Sequence, residues 1–177
     1  MQYTAHYESP LGGLLLAADD VGLTGLWFDG EKYYALHLAR EHEMRQTAVH
    51  EQTAAWLDVY FSGREPDFMP PLHLIGTPFQ QEVWALLRQI PYGKTTTYGA
   101  LAKTLAAQRG LERMSAQAVG GAVGHNEISI LVPCHRVVGT GGSLTGYAGG
   151  VDKKKALLEL EGVSMEGLFV PKRGTAL

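Results

Sequence analysis

The chain has 177 residues, 45% hydrophobic and 19% charged, with a net charge of −3; this suits a soluble globular protein of one domain or two small ones. No apolar run approaches the ~20 residues of a membrane span, and the N-terminus MQYTAHYESP lacks the basic-then-apolar order of a signal peptide. One cysteine excludes an internal disulfide, and seven scattered histidines without a CxxC pair offer no metal site, so a cytoplasmic protein with no metal and no membrane association is expected.

In chain order, GLLLAADDVGLTGLWF predicts two strands joined by a turn at Asp19, Asp20 and Gly22. A helix follows over residues 52–61, with Trp56, Val59 and Tyr60 along one face. MPPLHLIGTP (69–78), with three prolines and a glycine, reads as a linker. The charge changes there. Residues 1–75 carry 4 Lys/Arg and 11 Asp/Glu, net −7, whereas residues 76–177 carry 11 and 7, net +4. A basic half hints at a polyanion partner, although chance variation in surface charge explains the count equally well. We therefore expect an α/β (α+β) protein. Residues 1–72 form a supporting domain with a short antiparallel sheet and a helix, and residues 76–177 form a mostly helical domain.

The second half reads as successive helices. PFQQEVWALLRQI places Phe79, Val83, Leu86, Leu87 and Ile90 at helical spacing. Thr96 or Thr97 can cap a helix over residues 98–107, and Ser115 can cap the next. Two such helices are compatible with a helix-turn-helix, winged-helix-like in outline. The second is unusual: it holds Ala116, Ala118, Gly120, Gly121, Ala122 and Gly124. Each interior glycine costs about 1 kcal/mol relative to alanine. Tight packing on a neighbour explains this, as does a smooth face laid against nucleic acid, and glycines alone favour the packing. After the glycine-rich stretch 139–150, VDKKKALLELEG predicts a helix with Asp152 as N-cap and Gly162 as terminator.

Cys134 lies in ILVPCHRVV. A lone cysteine is usually a small buried hydrophobe, and ILV reads as a buried strand. Pro133, His135 and Arg136 favour another reading. A free thiol with a pKa near ~8.5 is less than about a tenth thiolate at neutral pH, so a nucleophilic cysteine needs a base, a cation or a helix N-terminus nearby. Neighbours on a strand face opposite ways, so a direct Cys134–His135 bond would need a bend or a bridging water. Glu161, in the last turn of the final helix, is disfavoured there by the helix dipole; pairing with His135 would account for it.

PCHRVV followed by GYAGG resembles the signature of the alkylguanine-DNA alkyltransferases, the methylated-DNA–protein-cysteine methyltransferases. FQQEVWALLRQIPYGKTTTYGALA, AVGGAVGHN and LLELEG extend the resemblance over about a hundred residues, and SPLGGLLLAADDVGLTGLWF is similar to the family's first strands. The resemblance implies a self-inactivating transfer, without cofactor, of the alkyl group from O6-alkylguanine in double-stranded DNA to Cys134, with O4-alkylthymine as a further candidate substrate. It implies a monomer. It implies that His135 and Glu161 activate the thiol through water, that Asn126 holds the cysteine turn, and that Tyr98 assists base rotation and protonates guanine. Val137, Tyr147 and Ala148 would line the base pocket together with Tyr98. Ser115, Ala116, Gln117 and Gly121 would belong to a recognition helix in the minor groove.

The chain departs from the family's pattern in two places. Gln117 stands where an arginine often fills the space left by the flipped base, and Glu127 stands where proline commonly follows the asparagine. Ala148 replaces a serine of some members. Two other classes remain open to test: a helix-turn-helix protein without chemistry, in which Cys134 is packing, and a cysteine hydrolase using Cys134 and His135. Modification of the protein by methylated DNA separates the first from a transferase, and multiple turnovers of an ester or amide would support the second.

Overall fold

The computed structural model describes residues 1–172. It divides into two compact units, Met1–Ile75 with Glu127–Ser129, and Gly76–Asn126 with Ile130–Leu177. The first is built on β1 (Gln2–Ser9), β2 (Gly12–Ala18) and β3 (Leu23–Phe28), an antiparallel meander. The β2–β3 turn forms where expected: Asp19 Oδ1 accepts the N–H groups of Val21 (2.9 Å) and Gly22 (3.0 Å). Any Cβ on Gly22 would lie 2.6 Å from the Pro71 carbonyl oxygen. A fourth strand, β4 (His42–Met44), pairs in parallel with β1, giving the order β3-β2-β1-β4. The expected sheet was antiparallel; the observed one is mixed.

Helix α1 (Ala48–Phe61) begins four residues before the expected 52. The cause is a capping box made by an unusual residue, since Nδ1 of His50 accepts the Thr47 N–H at 2.9 Å. Its buried face is His50, Thr53, Trp56, Leu57 and Tyr60. Val59, expected on that face, is only half-buried, because it lies about 120° round the helix from Thr53, beyond the arc that Trp56, Tyr60, Thr53 and Leu57 bury. Residues 127–129 extend the sheet beside β3. Leu26 donates its N–H to the Glu127 carbonyl (2.8 Å), and Ser129 donates to the Leu26 carbonyl (3.1 Å).

The second unit contains α2 (Pro78–Leu87), α3 (Tyr98–Gln108) and α4 (Ala116–Gly124), packed on one another. Each start has a local reason. Thr77 and Gln80 form a capping box with Pro78 in the first turn; Thr97 accepts from the Ala100 N–H at 3.0 Å; Ser115 accepts from the Ala118 N–H at 3.2 Å. The Trp84 indole, buried in α2, donates to the Ala122 carbonyl of α4 at 2.9 Å. Residues 109–115 join α3 to α4, a longer connection than the usual ~3–4-residue helix-turn-helix turn. Short strands β5 (Thr96–Thr97) and β6 (Val137–Val138) pair in parallel.

Helix α5 (Val151–Leu160) corrects one expectation. Its N-cap is Gly150, at φ 100°, and Asp152 lies inside the first turn. There its charge still complements the positive end of the helix. Gly162, at φ 79°, follows the end as expected. A second correction concerns ILV, which is turn and not strand. Ile130 takes a φ of 71°, and Pro133 has no N–H to give a ladder, so the β-branched run cannot extend. Beyond α5, Val163, Met165 and Leu168 pack on buried Val138, Leu144 and Leu158. Leu144 and Phe169 bond through the backbone at 2.8 Å, and a Cβ on Gly142 (φ 97°) would meet the Gly167 carbonyl oxygen at 2.0 Å.

Among the described residues no helix is long and apolar enough to cross a membrane.

Candidate active site

The cysteine turn is held by Asn126, the second residue beyond α4 and itself buried. Its side-chain amide donates to the Val132 carbonyl at 2.9 Å and contacts the Cys134 sulfur at 3.3 Å. One side chain thus closes the 126–132 turn and orients the thiol. Cys134, His135 and Arg136 form a short 3₁₀ turn, with the Arg136 N–H on the Pro133 carbonyl at 3.0 Å. Successive side chains on such a turn are about 120° apart. Cys134 and His135 therefore diverge, as expected, although a tight turn and not a strand separates them.

All three side chains are buried, His135 completely. His135 Nε2 meets Glu161 Oε2 at 2.5 Å. The other carboxylate oxygen accepts the Arg136 Nε–H at 2.8 Å and the Gly93 N–H at 3.0 Å. Arg136 also donates to the Ile90 carbonyl at 2.8 Å and lies over the Tyr92 ring. Burial alone would raise the Glu161 carboxyl, but the bond from His135 and the charge that ring carries at the low pH where the carboxyl titrates, followed by the bond and charge of Arg136, outweigh it and hold the group at about 2. Burial pushes His135 the other way, below its ordinary value, against the pull of Glu161. The pair is an ionised carboxylate and a neutral imidazole. Nε2 then carries the proton that Glu161 receives, and Nδ1 holds the lone pair. Nδ1 is buried with no hydrogen-bond partner among the described residues.

Tyr98, at the start of α3, donates its hydroxyl to the Thr145 carbonyl at 3.2 Å. Burial, followed by the charge of Cys134, raises its pKa and keeps it a phenol. Tyr147 is buried with its ring edge-on to His135, centroids 6.4 Å apart, while Ala148 is half-buried. On α4, Ser115, Ala116, Gln117 and Ala118 are exposed, and a Cβ on Gly121 would meet nothing within 4 Å. The interior glycine at 121 therefore faces open space, whereas Gly120 and Gly124 are buried. A cavity of about 310 Å³ lies between Tyr98, Gly99, Ala116, Gln117, Gly139, Thr140 and Thr145. That is at the small end of ligand sites. Its walls include Tyr98, Ala116 and Gln117 from the expected set but not Cys134, Val137, Tyr147 or Ala148.

Sequence reasoning missed Lys154. It is fully buried in α5 and donates to the carbonyls of Val137 and Thr145. A signal existed. Lys154, Leu157, Leu158 and Glu161 fall at i, i+3, i+4 and i+7, so this lysine alone of the KKK run shares the inward stripe.

Two family models cover almost the whole chain. The ribonuclease-like domain of 6-O-methylguanine DNA methyltransferase matches residues 2–74, and its DNA-binding domain matches residues 78–163. Methylated-DNA–protein-cysteine methyltransferase of Mycobacterium tuberculosis is 43% identical over 159 residues, 88% of this chain and 92% of that protein. The protein of the same name from Methanosarcina acetivorans is 41% identical over 90% of this chain and 98% of its own. Among solved structures, M. tuberculosis OGT in complex with DNA superposes with a TM-score of 0.77 at 42% identity, covering 90% of this chain and 92% of that one. The O6-methylguanine-DNA methyltransferase of Pyrococcus kodakaraensis does so with a TM-score of 0.64 at 27% identity, covering 92% and 100%.

Proposed function

The chain belongs to the methylated-DNA–protein-cysteine methyltransferase family, and from that premise we propose that it repairs alkylated DNA by moving the alkyl group of O6-alkylguanine irreversibly to Cys134. The carrying observation is the lone thiol, held by Asn126 beside a buried His135–Glu161–Arg136 network in which one imidazole nitrogen is uncommitted.

The Cys134 thiol passes its proton through a bound water to His135 Nδ1. Sulfur bonds to the alkyl carbon, the bond from that carbon to guanine O6 breaks, and the electron pair leaves with the base. Tyr98 supplies a proton to guanine N3, and the proton on His135 restores the phenol through solvent. Glu161, kept ionised by Arg136, stabilises the imidazolium that forms. The thioether is no leaving group for water, so each chain acts once.

Guanine O6 lies inside the base stack, so the nucleotide must leave the duplex at a cost of a few kcal/mol. The small exposed residues of α4 let the helix approach the minor groove closely. Gln117, which lines the same cavity as Tyr98, would enter the space vacated by the base. The test is intact-mass measurement after mixing with a duplex containing O6-methylguanine. One methyl per chain should appear, mapped to Cys134. Release of methanol, many turnovers per chain, or methylation elsewhere would contradict this function. A duplex carrying O4-methylthymine, run in parallel, sets the substrate range.

A further inference from the structure

The mechanism above leaves the Lys154 ammonium unused, although it is fully buried. It bonds to the carbonyl of Val137, just after the cysteine turn, and at 2.6 Å to that of Thr145, across the loop. The same Thr145 carbonyl receives the Tyr98 hydroxyl, and the ammonium lies 5.9 Å from the centroid of the Tyr98 ring. Helix α5 packs on the 134–136 turn. Lys154 is close enough to Cys134, and to His135, to interact electrostatically with both. No carboxylate lies within ion-pair distance of it among the described residues.

A buried cation without an anion is strongly unfavourable. If the role were only to tie two carbonyls together, a neutral donor could do it without that penalty. The charge is justified when a negative group forms nearby, and the thiolate of Cys134 is such a group. The other charged neighbours do not fill this part: the Glu161 carboxylate is already engaged by Arg136 and His135, and Tyr98 stays a phenol.

We propose that Lys154 is a positioning residue for alkyl transfer: its ammonium is the counter-charge of the Cys134 thiolate and, through the Thr145 carbonyl, sets the place of the Tyr98 hydroxyl. This rests on Cys134 being the alkyl acceptor. Burial pulls the lysine down to about 8, and the Cys134 charge opposes that fall. At neutral pH the side chain is therefore still mostly cationic. By reciprocity, whatever the lysine does for the thiolate, the thiolate does for the lysine. Alkylation removes the negative charge and leaves the cation alone.

The test uses iodoacetamide, a small reagent that needs no DNA, so its outcome is independent of whether methylated duplex is the substrate. The rate of Cys134 alkylation is followed against pH for the native chain and for Lys154→Met. The midpoint should move up by about one pH unit or more in the variant, which makes it roughly tenfold slower at neutral pH. Superposable pH profiles for two folded proteins would overturn the proposal. Should Lys154→Met not fold, the native chain provides the second measurement. The Lys154 ammonium is titrated by NMR before and after methyl iodide has capped Cys134. Its midpoint should fall on capping, and an unchanged midpoint would overturn the proposal.

Discussion

Two buried histidines, one in each unit, differ in what the fold leaves free on the imidazole. His50 and His135 are 1% and 0% exposed, and burial lowers the pKa of both. In His50 both nitrogens are committed to the fold: Nδ1 accepts the Thr47 N–H that starts α1, and Nε2 bonds to the Tyr3 carbonyl at 3.1 Å. In His135 only Nε2 is committed, to a carboxylate that Arg136 keeps ionised, and Nδ1 has no partner among the described residues. Burial therefore does not mark function. The uncommitted lone pair backed by an anchored charge is what sets His135 apart, and the role proposed for it rests on that difference.

Exchanging each for glutamine tests that difference at its largest. His135→Gln should slow methyl transfer by about 10²–10⁴-fold, the range for loss of a general base, because an amide cannot take the thiol proton. His50→Gln should leave the transfer rate unchanged and lower stability by about 1–2 kcal/mol, the range for a broken buried bond. Single-turnover kinetics and urea denaturation of both variants measure this. Equal kinetic effects would erase the distinction.

Removing the anchored charge comes next. Glu161→Ala leaves the Arg136 guanidinium buried beside Tyr92 without its carboxylate. Breaking a buried pair in this way is expected to destabilise the fold by about 3–5 kcal/mol, read from denaturant midpoints. Glu161→Gln should be milder in stability, yet it should still move the pH dependence of transfer upward.

The pH dependence of stability separates the two sites further. Both histidines have folded pKa values below the unfolded value of ~6.5. The unfolded chain then binds more protons, so their contribution is complete above about pH 6.5 and is lost as pH falls below it. Glu161, at about 2, contributes above the ordinary carboxylate value and loses that contribution as pH falls from roughly 4.5 to 2, by about 3 kcal/mol in all. Urea midpoints across pH should show both declines. His50→Gln should weaken the first and leave the second intact; Glu161→Gln should flatten the second.

The smallest effect belongs to Gln117, which lines the open cavity. Gln117→Arg should raise, and Gln117→Ala lower, the transfer rate from alkylated duplex by a few-fold, and the arginine should steepen the salt dependence if it meets phosphate. Free benzylated guanine needs no flipping, so its rate should not change. Equal changes on both substrates would place Gln117 in the pocket or the fold instead.

Much of the site was legible because its residues break local rules. A glutamate at a helix C-terminus opposes the dipole, and the expected pairing of Glu161 with His135 rests on that; Arg136, expected to end the buried run, is instead buried and holds the same carboxylate, a long-range contact with no local signal. Lys154 was not read, because a KKK run on a helix suggests a solvated face and only its register with Leu157, Leu158 and Glu161 says otherwise. The ILV run misled because β-propensity gives way to a left-handed Ile130 and to Pro133. In the fold, β2, β3 and the Thr97 and Ser115 caps carry their own local signals, whereas the Thr47–His50 start of α1 and the Gly150 cap of α5 do not. Strand β4 does not: three exposed residues, HEM, have no apolar alternation, and only pairing with β1 makes them a strand. Pairing of residues 127–129 with Leu26 is equally long-range.

The acid–base assignment at His135 is tested most directly by NMR of its imidazole nitrogens in the native chain between pH 6 and 8. A neutral ring with the proton on Nε2 and a bare Nδ1 is expected throughout, turning to imidazolium only at lower pH. A protonated Nδ1 in that range, as the other tautomer or as imidazolium, would mean that no base faces the thiol and would contradict the mechanism.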